Sequence, residues 1–283
     1  VSFTLDDAWV DAYLAATGES HPLYAPGAFA PPTMTTLVRQ VKASLGGRWP
    51  SGTLQLDHRV EMRRPIRRGE ALTLDVTIGR IETRGGRPCF EMRSRVRDAA
   101  GAVVVDQRSR SMWGGAMPAG AQPGNPSAPT SAPAPASAPA SDGPSGPVAS
   151  GPARVSDEGD GERLGPLTAH YPQASLRAYG ELAGALDPIH VDPEFGRGTR
   201  FGVNIVQGRL AMTLVSRLML ERHGADWLAR GGFDLRFSKP IRVGEPVLAR
   251  ARAIASRPQC HEVWCESPAG VRVIEGQAWL GQA

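Results

Sequence analysis

Between Gly184 and Asp192 the sequence reads GALDPIHVD, which brings a carboxylate, Asp187, and an imidazole, His190, within three residues of each other. Histidine titrates near neutrality, so it can take up a proton and return it, and a nearby carboxylate can help it activate water. Asp192, two residues on, suits a turn or helix-cap acceptor instead. Further downstream, Gly208 opens an apolar helical pattern, GRLAMTLVSRLMLERHG. The unpaired N–H groups of a helix N-terminus can receive negative charge developing on an oxygen. A lone histidine is more often a satisfied structural residue, and a glycine at a helix head also permits close packing. Spacing by itself therefore leaves a packing role open for each.

The net charge is +4, with a pI near 9.3, but the basic residues are scattered singly, which argues against a nucleic-acid surface. The one dense cluster is Arg63, Arg64, Arg67 and Arg68. Arginine binds phosphate bidentately, so a small phosphorylated ligand would suit it; a solvated strand end is the plainer reading. Cys89, Cys260 and Cys265 are odd in number and lack CxxC spacing, which indicates neither a disulfide framework nor a zinc site and implies a reducing compartment. His58, His170, His223 and His261 have no ligand-like spacing either, and no metal is expected. The opening stretch VSFTLDDAWVDAY is acidic where a signal peptide is basic, and no apolar run approaches the ~20 residues of a membrane helix. The sequence reads as a soluble, cytoplasmic protein with no membrane association.

These residues sit in an internally repeated chain. Residues 119–160 are nearly all Ala, Pro, Ser and Gly, a composition that cannot offset the entropy of ordering, and they divide a first half, 1–118, from a second, 161–283. RRPIRRGE, beginning at Arg63, matches SKPIRVGE, beginning at Ser238, and each follows an alternating strand-like run, LQLDHRVEM and GGFDLRF. TGESHPLY (Thr17 to Tyr24) aligns with AGALDPIH (Ala183 to His190). Both halves then enter an apolar helical pattern, TMTTLVRQVKASLGG and GRLAMTLVSRLMLERHG, each stopped by Gly. Several strand-like runs follow, with Pro65 and Pro240 at bends or edges. Each half is thus expected to be α+β: a short leading helix, an irregular loop, and one long helix wrapped by a curved antiparallel sheet. The pair of sheets would join edge to edge.

The segment YGELAGALDPIHVDPEFGRGTRFGVNIVQG, Tyr179 to Gly208, resembles the hydratase signature of the MaoC-like (R)-specific enoyl-CoA hydratases, which have the hot dog fold and act on acyl-CoA thioesters. Tyr179, Gly184, Pro188, Ile189, His190, Asp192, Gly202 and Gly208 match the signature. The first half, through HPLY (His21 to Tyr24) and APPTM (Ala30 to Met34), is similar to the degenerate N-terminal hot dog of two-domain members. The resemblance implies a tandem (double) hot dog with its site in residues 161–283. It also departs from the pattern. The family's catalytic Asp falls at Ala185, its motif Asn at Asp187, its Ser at Ala183 and its helix-leading His at Gln207.

The implied activity is hydration of a 2-enoyl-CoA to an (R)-3-hydroxyacyl-CoA, or the reverse dehydration. His190, Asp187 and Gly208 would form the catalytic set, with Tyr179, Gly202, Gln207 and Arg200 around the substrate. Coenzyme A would enter only as part of the substrate, no separate cofactor is implied, and a homodimer of double hot dogs is compatible with the pattern. Asp187 has two readings: it takes over water activation from the missing carboxylate, or it stands in for the Asn as a loop acceptor. Glu19, with His21 and Tyr24, occupies the matching place in the first half, either as a second, unorthodox site or as an ordinary loop residue. Two other functions stay open, an acyl-CoA thioesterase and a non-catalytic acyl-CoA-binding module, the latter favoured by Ala185.

Overall fold

A computed structural model of the protein describes residues 1–47, 52–113 and 161–281. The Ala/Pro/Ser/Gly-rich stretch 119–160 lies outside the described residues. The first half runs β1 (Ser2–Thr4), α1 (Asp7–Thr17), α2 (Val38–Ser44), β2 (Thr53–Met62), β3 (Ala71–Arg84), β4 (Arg87–Arg97) and β5 (Val103–Trp113). The second runs β6 (Arg163–His170), α3 (Gln173–Ala183), α4 (Pro188–Val191), α5 (Pro193–Arg197), α6 (Gly208–His223), α7 (Ala225–Arg230), β7 (Gly231–Phe237), β8 (Pro246–Ile254), β9 (Arg257–Glu266) and β10 (Arg272–Leu280). Among the described residues the strands form one ten-stranded sheet in the order β1-β3-β4-β5-β2-β7-β10-β9-β8-β6. The second five repeat the first in mirrored order, and the halves meet edge to edge as expected, through antiparallel β2 and β7.

The register shows how closely the repeat is kept. Arg63 aligns with Ser238, so Arg59 aligns with Asp234, and these two counterparts pair directly across the β2–β7 seam. A pseudo-twofold axis therefore passes through that pair, which carries opposite charges, with Arg59 Nη1 3.5 Å from Asp234 Oδ2. The same symmetry relates the helix ends. Gly18 closes α1 and Gly184 closes α3, at φ 72° and 69°, the left-handed conformation that glycine adopts without strain. Lys42 Nζ then donates to the Gly184 carbonyl at 2.7 Å, and Arg217 Nη1 to the Gly18 carbonyl at 3.2 Å. Each half supplies the cation that caps the other's leading helix.

In the second half α6 is buried nearly all round, from Arg209 to Leu220, as a helix wrapped by a sheet must be. Gly224 ends it. The first half departs from the expected long helix. Residues Pro32–Thr36 form a 3-10 turn, Leu37 is extended (ψ 139°), and α2 is seven residues long. Two threonines at the break bond carbonyls of their own turn, as β-branched hydroxyl residues do in competition with the helix: Thr35 Oγ1 donates to Pro32 O and Thr36 Oγ1 to Thr33 O, both at 2.7 Å. Two further strands, β1 and β6, were not apparent in the sequence. Both are sheet edges, pairing only with β3 and β8; β1 is three residues long, and the alternation of β6 is interrupted by a register shift between Leu164 and Leu167.

Candidate functional site

The loop carrying His190 is clasped from several directions. Asn204, 1% exposed, donates through Nδ2 to the carbonyls of Pro188 (3.2 Å), Ile189 (2.9 Å) and Asp192 (2.8 Å). Gln173 Nε2 donates to His190 O at 2.9 Å, and Arg177 Nη2 to Val191 O at 3.0 Å. Asp192 caps α5, accepting from the amides of Glu194 and Phe195 at 2.9 and 3.2 Å, the role its position suggested. Gly196 is required by this packing, since a Cβ there would lie 2.7 Å from the Asn204 amide nitrogen.

His190 Nδ1 lies 2.8 Å from the carbonyl oxygen of Ile205. A carbonyl can only accept, so Nδ1 carries the proton and Nε2 keeps its lone pair. Burial pulls the His190 pKa below the ordinary imidazole value, against the opposing pulls of the Ile205 carbonyl and the Asp187 charge. The ring is therefore a neutral base near pH 7. Asp187 opens α4, but its side chain reaches across to the first half, where Oδ1 accepts from the Gly52 amide at 3.3 Å. Ala185, 8% exposed, brings only a methyl group to this part of the loop.

Three residues after Ile205, Gly208 begins α6. The amides of Leu210 and Ala211 both bond to the Gln207 carbonyl, at 3.0 and 3.1 Å. Those of Gly208 and Arg209 have no backbone acceptor among the described residues, so the helix head offers two donors. Glycine is also sterically suited here, since a Cβ would meet the Phe237 ring at 3.1 Å. Tyr179 and Gln207 are buried together with the site: Gln207 Nε2 donates to Leu176 O at 2.8 Å, while Gln207 Oε1 and the Tyr179 hydroxyl have no partner among the described residues. Arg200 and Gly202 are set apart. Arg200 is exposed and stacks on Phe201, 4.8 Å from its ring centre, and Gly202 takes a φ of 71° in a surface turn. Neither is joined to His190 or Gly208 by a contact among the described residues.

The matching loop of the first half lacks the same equipment. Glu19 stands at the position of Ala185; burial raises its carboxyl pKa to about 7, and Oε2 has no partner among the described residues. Tyr24 replaces His190 and is 3% exposed, and His21 is spent on a cap, its Nδ1 accepting from the Leu23 amide at 3.2 Å. At the helix head stand Pro31 and Pro32, without N–H groups, then Thr33, whose hydroxyl accepts from Tyr13 at 2.9 Å. An acid remains, but no imidazole stands with it, since Tyr24 takes the place of His190.

The arginine cluster is occupied structurally. Arg64 pairs with Glu70 and Asp98, Arg68 with Asp7, Asp11 and the Tyr24 carbonyl, and Arg63 with Glu61, while Arg67 stacks on Phe29. The Arg68 side chain, 2% exposed, is buried among these partners rather than solvated at a strand end. What the sequence did not reveal is the first half's share in the site, through Gly52, Lys42 and the partners of Arg209, Gln55 and Thr36. One signal was visible: Arg209 is a charge at the head of a helical run whose next seven residues, Leu210 to Ser216, are uncharged.

The fold is a double hot dog, and the comparisons agree. A solved MaoC-like dehydratase superimposes with a TM-score of 0.74 at 17% identity, covering 100% of this chain and 96% of that one. A Mycobacterium tuberculosis protein described as having a double hotdog fold gives 0.58 at 17% identity, over 99% and 94%. The MaoC like domain matches residues 155–267, and the FAS1-like dehydratase domain region matches residues 2–107. The (R)-specific enoyl-CoA hydratase of Aeromonas caviae is 33% identical over 94 residues, 32% of this chain and 68% of that protein. The mitochondrial 3-hydroxyacyl-[acyl-carrier-protein] dehydratase of Arabidopsis thaliana is 29% identical over 91 residues, 32% of this chain and 53% of that protein. The chain belongs to the MaoC-like dehydratase family. Among the described residues no helix is long and apolar enough to cross a membrane.

Proposed function

We propose that the second half hydrates a 2-enoyl-CoA thioester to an (R)-3-hydroxyacyl-CoA, and catalyses the reverse dehydration. The observation that carries this reading is the bond from His190 Nδ1 to the carbonyl of Ile205, three residues before the head of α6, which leaves Nε2 free to act as a base. In the forward direction Nε2 removes a proton from water as the water oxygen bonds to C3. The C2–C3 π electrons move toward the thioester, and the Gly208 amide receives the enolate oxygen. The imidazolium then returns its proton to C2, so the elements of water are added and the base is regenerated. Asp187, tethered to Gly52, supports the imidazolium by its charge. Tyr179 and Gln207 line the buried side of the loop.

Activity is read from the loss of conjugated-thioester absorbance with crotonyl-CoA. Release of free thiol from the same substrate without hydration would instead indicate a thioesterase. Ligand-dependent thermal stabilisation with neither reaction would indicate a binding module.

A further inference from the structure

Arg209 is 6% exposed at the second position of α6, the one charged side chain among the helix's buried residues. Its side chain crosses to the first half, where Nε donates to Gln55 Oε1 at 3.1 Å and Nη1 to the Thr36 carbonyl at 2.6 Å. A guanidinium has five N–H groups, and the remaining ones have no partner among the described residues. No carboxylate lies within ion-pair distance of it there. Burial lowers its pKa only to about 10, so it stays charged at neutral pH. A buried cation without an anion is costly, and two neutral acceptors offset only part of that cost. The fold itself does not need the charge, because the repeat counterpart of Arg209 is Met34, fully buried.

A second observation points the same way. At four neighbouring positions the inner face of the first half's sheet is polar where that of the second is apolar or glycine. His58 pairs with Ser109 and Gln107 with Ser94, all buried; their counterparts in the second half are Phe233 with Ala278 and Gly276 with Val263. His58 Nδ1 and Gln55 Nε2 are 2.6 Å apart, His58 Nε2 and Gln107 Oε1 3.3 Å, and Gln107 Nε2 donates to the Thr35 carbonyl at 3.1 Å. This network runs from Arg209 into the first half beneath the broken helix. The Ser109 hydroxyl and both polar atoms of the Gln40 amide are buried without partners among the described residues.

We propose that the acyl group's far end lies against this polar interior, and that the protein selects short acyl-CoA substrates ending in a carboxylate, which pairs with Arg209. The inference rests on the proposed hydratase reading. It deepens that reading by naming the substrate class. Gly208 and Arg209 are consecutive, so the thioester oxygen and the terminal carboxylate would be one arginine side chain apart, which suits a diacid of roughly four or five carbons.

Saturated thioesters test this without any chemistry. Calorimetric titration of the full chain with glutaryl-CoA and pentanoyl-CoA, which have equal carbon counts, should show glutaryl-CoA binding at least about tenfold tighter, as a charge-assisted bidentate pair implies. Arg209→Met, which installs the counterpart residue, should abolish the preference while leaving pentanoyl-CoA within a few-fold of the wild type; Arg209→Lys should retain part of it. Equal or tighter binding of pentanoyl-CoA to the wild type, or binding of neither, overturns the proposal whether or not the variants fold. Hydration is scored separately with crotonyl-CoA and glutaconyl-CoA. If neither enoyl-CoA is hydrated while glutaryl-CoA is still preferred, the hydratase reading fails and the carboxylate site stands.

Discussion

His190 depends on one hydrogen bond for its chemical state. With Nδ1 committed to Ile205 and burial disfavouring the cation, the acid limb of kcat/KM should fall below the ordinary imidazole pKa of about 6.5. His190→Ala should reduce hydration by at least ~100-fold, the usual cost of removing a general base; a variant keeping most of its activity would remove His190 from the mechanism. Asp187 differs, since one of its oxygens holds Gly52 and its charge raises the His190 pKa. Asp187→Asn keeps the acceptor and deletes the charge. It should lower kcat less than about tenfold and move the acid limb to still lower pH, whereas a loss as large as that of His190→Ala would make Asp187 the water base. Glu19 offers a test that is independent of substrate. Its carboxyl pKa is near 7 in the folded state and about 4.5 when unfolded, so the folded protein holds the extra proton between those values. Stability should therefore be highest below about pH 4.5 for this group and fall as pH rises toward 7, by up to ~3 kcal/mol. Glu19→Gln should flatten that part of the pH–stability curve measured by thermal melting.

At the scale of elements, the hydratase loop is a set of short helices held by one amide side chain. Asn204 bonds three carbonyls of the loop, and the next residue, Ile205, holds the His190 ring. Asn204→Ala removes those donors, each net bond being worth about 0.5–1.5 kcal/mol, while the three carbonyls keep the backbone amides of Asp192, Ile205 and Gly196. The variant should melt several degrees lower and lose kcat with KM little changed, because the base is displaced while the acyl surfaces of α6 and the first half persist. A melting loss with unchanged kcat would show that the loop keeps its geometry without the clasp. The two repeat copies also show how one local change alters an element. Where the second half has Gln207, Gly208 and Arg209 before a mostly apolar stretch, the first has Pro32 and a threonine run, and a long helix becomes a 3-10 turn followed by two turns of α-helix.

The whole molecule is joined at the β2–β7 seam, where Arg59 and Asp234 face each other on the pseudo-twofold axis. Two copies of either half would place like charges there, so the pair favours joining unlike halves. Asp234→Arg should destabilise the full chain by up to about 1 kcal/mol, the modest worth of a part-exposed pair. Adding Arg59→Asp should recover most of it. Chemical denaturation of the four members of this cycle measures the coupling, and additive effects would mean that the seam is held by backbone pairing and apolar contacts alone.

Local pattern was enough to reveal the repeat, the eight long strands, α6 and the motif DPIH, because strand alternation, glycine caps and turn prolines are short-range signals. It also identified Asp192 as a cap. Edge strands β1 and β6 escaped because β1 is only three residues long and the alternation of β6 is broken at Gly165 and Pro166 by a register shift. The broken first helix escaped because its apolar content reads as helix until its hydroxyls are seen bonding their own turn. Only the tertiary structure decided what surrounds His190 and Gly208. The protonated nitrogen of His190 is set by a carbonyl fifteen residues away, Asp187 is anchored by the other half, and Arg209 extends between the halves into a polar interior. These contacts are made by groups distant along the chain and adjacent only after the sheet closes, so no spacing in the sequence records them.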